Sequence, residues 1–464
     1  MKKDSNRLII TCPEWRYTCW VWIIEVVLGD WFGLAYEIRI HHEPYVKLEL
    51  FERILVIDAQ LLLIPENDWL TSSSLPKLPL ATWSLPTILL LPNGYSDTLP
   101  ILFGKSGFLI DSNGYGHLNV DVFGSLFFML SRYEEVACKV TDQHDRYPGK
   151  SSHTYKAGLL ERPLADEYAE MLWLAMNAIW PALERKSVVN RFVVSCDVDE
   201  PYERWIKGPM WLIKGLAGAL GRRKSLSIAV RRVKNYFSSM DEDYSLDPNW
   251  TFDWYMELCE RNNIQAIFYF IVTEGSRVVD GAYDINEPRL LKLLSSIHNR
   301  GHLIGLHGSY DTYRDSNKLL DERHRLQEAC KRANVYQNIV HCRQHFLRWR
   351  PEITPDCLDS AGFQIDSSGG YADHAGFRFG TSREFRMWSW CKMRALAIKQ
   401  SPLIVMEGTV LNNMGYTDYE DAYKYISQLK LISTTNSGGF VLLWHNSYLQ
   451  NIAHRKLFES IVAS

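Results

Sequence analysis

The sequence predicts an α/β fold, with a smaller α+β or α/β domain at residues 1–188 ahead of a larger β/α domain at residues 189–464. In the larger domain, short apolar segments alternate with segments of helical periodicity, which indicates a parallel sheet covered by helices, either open or closed into a barrel. Ionisable residues follow several of the apolar segments. Because parallel strands present their carboxyl ends at one edge, we expect the functional site there.

Composition and charge narrow the class of protein. A length of 464 residues allows two or three domains, and a net charge of -3 argues against nucleic-acid binding. The nine cysteines are scattered and form no C-x-x-C pair, so neither a disulfide framework nor a cysteine zinc site is expected. The basic amino terminus is not followed by a sustained apolar region, so no classical export signal is expected. These features predict a cytoplasmic protein.

The first domain contains two kinds of segment. Residues 46–50 and 54–57 have the composition of strands, and Pro- and Ser-rich turns follow them. Residues 121–133 and 166–180 have helical periodicity, and the first of these helices is apolar nearly all round, which predicts burial.

The stretch Phe192–Pro201 organises the second domain. Its apolar residues predict a buried strand that ends in Asp197 and Asp199. Side chains alternate along a strand, so both carboxylates should point the same way. Desolvating two adjacent carboxylates is costly unless a metal ion or a basic group lies between them. The alternative is an ordinary strand exit with solvated acids.

Three later segments of the second domain end in the same manner. The predicted strand at 302–306 is followed by His307, and the one at 338–342 is followed by Arg343 and His345. The predicted strand at 440–444 is followed by His445. A lone histidine is usually structural. Four strand ends with ionisable residues at equivalent positions predict a shared site.

The order of these motifs resembles the NodB-homology polysaccharide deacetylases, carbohydrate esterase family 4, over roughly residues 190–464. The matching pieces are Asp197 and Asp199, Gly301–His307, Arg343 and Leu442–His445. The resemblance implies a distorted (β/α) barrel of the polysaccharide deacetylase type. The first domain resembles the amino-terminal domain of some bacterial deacetylase-like proteins, with Phe123–Glu135 as its most telling segment.

The resemblance also implies residue roles. Asp197 is then the catalytic base, Arg343 orients it, and His445 is the catalytic acid. Asp199 and His307 are then metal ligands, for zinc first, with cobalt, nickel or iron as alternatives.

The sequence departs from the family at the third ligand. The family's second metal histidine falls on Asp311, so either Asp311 or His345 is expected to complete the site. His302 lies five residues before His307, which predicts the opposite face of the strand and a structural role. Asn446 stands where the family often has an aspartate beside the catalytic histidine.

Substrate recognition is assigned to Tyr310 and to the polar, glycine-containing loop at 366–378, which holds Asp373, His374 and Arg378. A plain structural loop is the alternative for the latter segment.

A basic insertion at about 204–245 interrupts the second domain. Between Arg204 and Met240 it has nine Lys or Arg and no Asp or Glu, next to an apolar segment at 210–220. This pattern predicts peripheral contact of residues 206–235 with an anionic membrane surface, at its inner face. The alternative is a solvated basic flap over the active site.

The expected function is removal of an N-acyl group, normally acetyl, from a sugar of a bacterial surface polysaccharide or its precursor. The alternative is a catalytically silent glycan-binding or scaffold protein on the same fold.

Overall fold

The computed structural model describes residues 7–92, 94–187, 190–273, 279–281, 283–435 and 438–464. The basic amino terminus and the predicted boundary at 188/189 lie outside these residues. Contacts divide the chain into two compact units. The first contains Met1–Phe192, Phe346–Val405 and Gln428–Val441, and the second contains Val193–His345, Met406–Ser427 and Leu442–Ser464. The first unit therefore includes two later segments that the sequence had placed in the second domain.

The strands of the described residues, in chain order, are β1 Leu8–Pro13, β2 Tyr36–His41, β3 Tyr45–Leu50, β4 Arg53–Asp58, β5 Ala81–Ser84, β6 Thr98–Ile101, β7 Gly104–Ile110, β8 Tyr115–Val120, β9 Arg191–Val198, β10 Ile267–Phe270, β11 Leu303–Gly308, β12 His341–Gln344, β13 Ile365–Asp366, β14 Phe385–Ser389, β15 Arg394–Gln400, β16 Val405–Met406 and β17 Gly439–Leu443.

The α-helices of the same residues are α1 Tyr17–Ile24, α2 Val122–Leu130, α3 Tyr133–Cys138, α4 His153–Lys156, α5 Leu164–Ile179, α6 Pro209–Ala217, α7 Leu226–Met240, α8 Phe252–Arg261, α9 Pro288–Asn299, α10 Ser316–Arg332, α11 Thr354–Ser360, α12 Tyr419–Thr435 and α13 Ile452–Ala463. None of the helices in the described ranges is both long and apolar enough to cross a bilayer.

The first unit is built on a mixed sheet in the order β2-β1-β3-β4-β8-β7. β1 pairs parallel with β2 and antiparallel with β3, and β4 pairs parallel with β8. The carboxylate of Asp121 accepts a hydrogen bond from Gly124 N and so caps α2, whose residues are all buried. The predicted helix of this segment is present.

Later segments of the chain join the first unit through buried ion pairs. Arg378 contacts Glu135 at 2.7 Å, and Arg383 contacts Glu170 at 2.9 Å, with all four side chains almost inaccessible to solvent. Such pairs bring together residues more than two hundred positions apart. Such long-range pairs cannot be recognised from sequence composition. For this reason the two contiguous domains predicted from the sequence differ from the two units defined by contacts.

In the second unit, β12, β11, β10 and β9 are neighbours in that order, and every adjacent pair is parallel. The carboxyl end of β17 lies beside β9, where Trp444 N donates to Ser195 O at 2.9 Å. The predicted α/β class and the succession of parallel strands and helices are therefore present. Closure into a barrel stays a prediction.

Candidate metal centre and catalytic site

Parallel pairing places the predicted strand-end residues at one edge of the second unit's sheet. The registers set Asp197 opposite Tyr269 and His307 opposite Arg343. Two of the predicted strand boundaries were wrong by a few residues. β11 extends through His307 and β12 extends through Arg343, so both residues lie within strands rather than after them. Pairing with neighbouring strands continues the ladder past the last apolar residue.

Asp199, His307 and His345 form the candidate metal centre. One ligand atom from each lies within 4.8 Å of the others. The Nε2 atom of His307 is 3.3 Å from Asp199 Oδ1, and the Nε2 atom of His345 is 3.6 Å from Asp199 Oδ2. Nitrogen and carboxylate oxygen in this combination are ligands that zinc accepts.

The other ring nitrogen of each histidine is held by an acceptor. His307 Nδ1 lies 2.9 Å from the carbonyl oxygen of Arg343, and His345 Nδ1 lies 3.0 Å from Asp280 Oδ1. A carbonyl oxygen cannot donate, so His307 Nδ1 carries a hydrogen and donates it to the Arg343 carbonyl. Contacts of this kind orient metal-binding histidines in known sites.

One further observation indicates that these ligand atoms suit a divalent cation. Asp199 Oδ1 is inaccessible to solvent and has no hydrogen bond within the described part of the chain, although His307 Nε2 lies 3.3 Å away. A cation between the two atoms would satisfy both.

The charge states follow from the same contacts. Burial alone would raise the pKa of Asp199, but His345 and His307 hold it well below its usual range. Burial alone would lower the pKa of His345, but Asp199 and Asp280 raise it to about 9.

Asp197 and Arg343 form a buried pair beside this centre. Arg343 Nη1 donates to Asp197 Oδ1 at 2.9 Å and to Ser195 Oγ at 2.8 Å. The guanidinium lies 4.6 Å from the centroid of the Tyr269 ring and is fully buried. The second carboxylate oxygen, Asp197 Oδ2, lies 3.6 Å from His307 Nε2. Arg343 therefore fixes one oxygen of Asp197 and leaves the other facing the centre.

His445 approaches the centre from the end of β17. Its Nε2 lies 3.6 Å from Asp199 Oδ2, and its Nδ1 makes a short contact with Glu407 Oε1. Its backbone N–H also donates to Glu407 Oε1 at 3.1 Å. Burial would lower the pKa of His445, but the negative charge and hydrogen bond of fully buried Glu407 raise it to about 10. His445 is therefore a cation at neutral pH.

Sequence reasoning missed two acids of this site. Glu407 directly follows β16, so the strand-end rule could have found it. Glu407, and not the residue next to His445 in the sequence, contacts the His445 ring, since the Asn446 side chain donates to the carbonyls of Glu200 and Asn249. No signal in the sequence marks Asp280. It also accepts from Tyr310 N at 2.8 Å.

The structure distinguishes between His345 and Asp311, the two alternatives for the third ligand. His345 is one of the three residues whose ligand atoms come together, whereas Asp311 is exposed and is not part of that group within the described residues. His302 lies just before β11, where its Nδ1 accepts from Ala266 N at 3.1 Å. Its buried position there fits the predicted structural role.

The remaining residues assigned to substrate lie in different surroundings. Tyr310 follows β11, and its backbone N–H is held by Asp280. In the first unit, Asp373 accepts from Gly149 N at 2.8 Å, and His374 packs against the Tyr155 ring at 4.6 Å. Arg378 is buried against Glu135. Their roles in substrate binding stay predictions, and the contacts of Arg378 are those of a structural ion pair.

Comparison with known proteins gives limited similarity. Residues 8–181 match a family of unknown function, DUF7033. No curated protein matches the sequence.

Among solved structures, a protein of Mycobacterium smegmatis provisionally described as a polysaccharide deacetylase shares 14% identity, covering 61% of this chain and 87% of its own, with a TM-score of 0.37. A Bordetella bronchiseptica protein, provisionally described as a polysaccharide deacetylase involved in O-antigen biosynthesis, shares 11% identity over 56% and 72% of the two chains, with a TM-score of 0.26.

The 4-alpha-glucanotransferase of Thermococcus litoralis shares 13% identity over 59% of this chain and 37% of its own, with a TM-score of 0.33.

Proposed function

We propose that the protein is a divalent-metal-dependent amide hydrolase that removes an N-acyl group, normally acetyl, from a sugar of a bacterial surface polysaccharide or its precursor. The observation that carries the reaction type is the convergence of Asp199, His307 and His345, with the Asp197–Arg343 pair beside them. The sugar substrate rests on the resemblance of the sequence motifs to polysaccharide deacetylases.

Asp199, His307 and His345 would hold the metal, most readily zinc. A bound divalent cation polarises an acyl carbonyl and lowers the pKa of coordinated water from about 15.7 toward about 7. The protein contributes the fixed ring orientation of both histidines through the Arg343 carbonyl and Asp280. This preorganisation means that the ligands need not rearrange when the ion enters.

Asp197 would act as the general base. Arg343 occupies its Oδ1, so Oδ2 is the oxygen directed toward the centre. A carboxylate fixed in this way can accept a proton from an attacking water molecule. Proton transfer of this kind typically increases the reaction rate by about 10²–10⁴-fold. Arg343 is a positioning residue in this scheme.

His445 would act as the general acid. The leaving group of amide hydrolysis is an amine, which departs only when it is protonated. Glu407 keeps His445 protonated at neutral pH, and the Nε2 atom of His445 lies 3.6 Å from Asp199 Oδ2. His445 can therefore deliver a proton at the centre while Glu407 stabilises the charged ring.

Metal content tests the first step of the proposal. Protein purified without chelators should contain about one divalent ion per chain, and the double variant His307→Ala/His345→Ala should not. His324→Ala is the matched control, because His324 is an exposed histidine on α10. Wild-type protein that neither retains nor rebinds zinc, cobalt, nickel or iron would favour the silent glycan-binding protein.

Acetate release from N-acetylated glycans tests the chemistry. The wild type should release acetate, and Asp197→Asn should retain its metal and lose nearly all release. Asp321→Asn, which changes an exposed aspartate on α10, should behave as the wild type. Equal release by the wild type and Asp197→Asn would overturn the role of Asp197.

A further inference from the structure

The basic insertion carries an exposed apolar stripe on α7. Leu226, Val230, Val233, Phe237 and Met240 follow one another at alternating spacings of four and three residues, which places them on one helix face. Leu226 is 71% exposed, Phe237 59% and Met240 60%. Large apolar side chains are scattered singly on ordinary surfaces, so a stripe of this length marks a contact surface.

The preceding helix also exposes large apolar side chains. Met210 and Ile213 on α6 are 67% and 60% exposed, and Leu220 in the following turn is half exposed. Between α6 and α7 lies an open groove of about 400 Å³. Its lining residues are Leu216, Leu226, Ala229, Val230, Val233 and Lys234. The insertion surface is defined here by Met210, Ile213, Leu220, Leu226, Val230, Phe237 and Met240.

Basic residues predominate within the segment that carries the insertion surface, although the exposed acids Asp241, Glu242 and Asp243 directly follow Met240. The segment from Arg204 to Met240 has nine Lys or Arg and no acidic residue. Lys214, Arg223, Lys224 and Lys234 are exposed next to the apolar side chains. Two other cations already serve the fold, since Arg231 contacts Glu203 at 2.9 Å and Arg232 lies over the Trp205 ring.

We propose that the insertion surface binds the anionic surface of a lipid bilayer. Apolar side chains would enter the boundary between headgroups and acyl chains, and the flanking lysines and arginine would contact anionic headgroups. A second copy of this chain is a poorer occupant, because it would bring the same positive charges face to face. The proposal concerns attachment and does not depend on the proposed catalytic activity.

Co-sedimentation of the full chain with vesicles tests the proposal. We expect binding to vesicles of mixed phosphatidylglycerol and phosphatidylcholine, weaker binding at high salt, and little binding to phosphatidylcholine alone. The double variant Leu226→Glu/Phe237→Glu and the charge variant Lys224→Glu/Lys234→Glu should each lose about tenfold or more in affinity. Leu431→Glu is the matched control, because Leu431 is 65% exposed on a different helix.

Several results would overturn the proposal. These are no binding to either vesicle, equal binding to both, or unchanged binding by both double variants. A concentration-dependent dimer that Leu226→Glu/Phe237→Glu abolishes, without vesicle binding by the wild type, would identify a second copy as the occupant. All substituted positions are exposed, and thermal melting of each variant would verify that the fold is retained. The two double variants act independently, so failure of one to fold leaves the other as the test.

Discussion

Asp280 Oδ1 lies 3.0 Å from His345 Nδ1 and 2.8 Å from the backbone nitrogen of Tyr310. One carboxylate thus orients a candidate metal ligand and also fixes the backbone that follows β11. Carboxylates in this position raise the basicity of the ligand histidine and hold its ring in place.

We predict that Asp280→Asn weakens metal binding by about 10–100-fold, because an amide orients His345 less strongly than a carboxylate. Competition with a chromophoric chelator would measure the dissociation constant. Asp321→Asn should bind metal as the wild type does. An unchanged constant in Asp280→Asn would show that Asp280 does not support the ligand.

Glu407→Gln should reduce turnover on the order of 10²-fold while the metal content stays unchanged. Glu407 raises the pKa of His445 to about 10, so removing its negative charge lowers that pKa. The general acid must be protonated, and the high-pH limb of the rate profile should therefore move to lower pH. A profile that keeps its high-pH limb would contradict the role of Glu407.

Arg343→Met should lower the free energy of unfolding by about 3–5 kcal/mol, because it leaves the buried Asp197 carboxylate without the arginine that pairs with it. Arg300→Ala provides the contrast. Arg300 and Glu260 are partly exposed and lie 2.6 Å apart, and loss of such a pair typically costs about 1 kcal/mol or less. Urea denaturation of both variants would measure the difference, and equal losses would show that burial of Asp197 is not costly.

Glu322 should make stability depend on pH. Burial raises its pKa to about 7, even though hydrogen bonds from Ser309 oppose the shift. The folded chain therefore binds the proton of Glu322 more tightly than the unfolded chain does. The stability that this proton contributes is fully present below about pH 4.5 and is lost as the pH rises through about 7.

Glu322→Gln removes this titration. The unfolding free energy of the variant minus that of the wild type should therefore increase by on the order of 3 kcal/mol from pH 4 to pH 9. Chemical denaturation across this range would measure the gain. A difference that does not change with pH would contradict the raised pKa of Glu322.

The sequence placed the main chemical groups because their signal is local. An apolar run that ends in Asp197 and Asp199 predicts a buried strand and the direction of both side chains, and β9 has that form. His307, Arg343 and His445 could be found by the same rule, since parallel strands end at one edge. The boundaries of β11 and β12 were less predictable, because hydrogen bonds to neighbouring strands extend them.

The tertiary structure decided which groups meet. Asp311 and His345 had equal standing in the sequence, and only the path of the chain after β12 brings His345 to Asp199. Glu407 and Asp280 lie 38 and 65 residues from the histidines they contact. Arg378, assigned to substrate by its loop, pairs with Glu135 across 243 residues.

The sequence by itself therefore determined the α/β class, the strand-end carboxylates and histidines, and the basic character of the insertion. These properties depend on periodicity and composition within a few residues. The tertiary structure decided the third residue of the candidate metal centre, the acids that contact His345 and His445, and the membership of residues 346–405 in the first unit. They depend on pairing between distant residues, which becomes defined only when burial forces each polar group to find a partner.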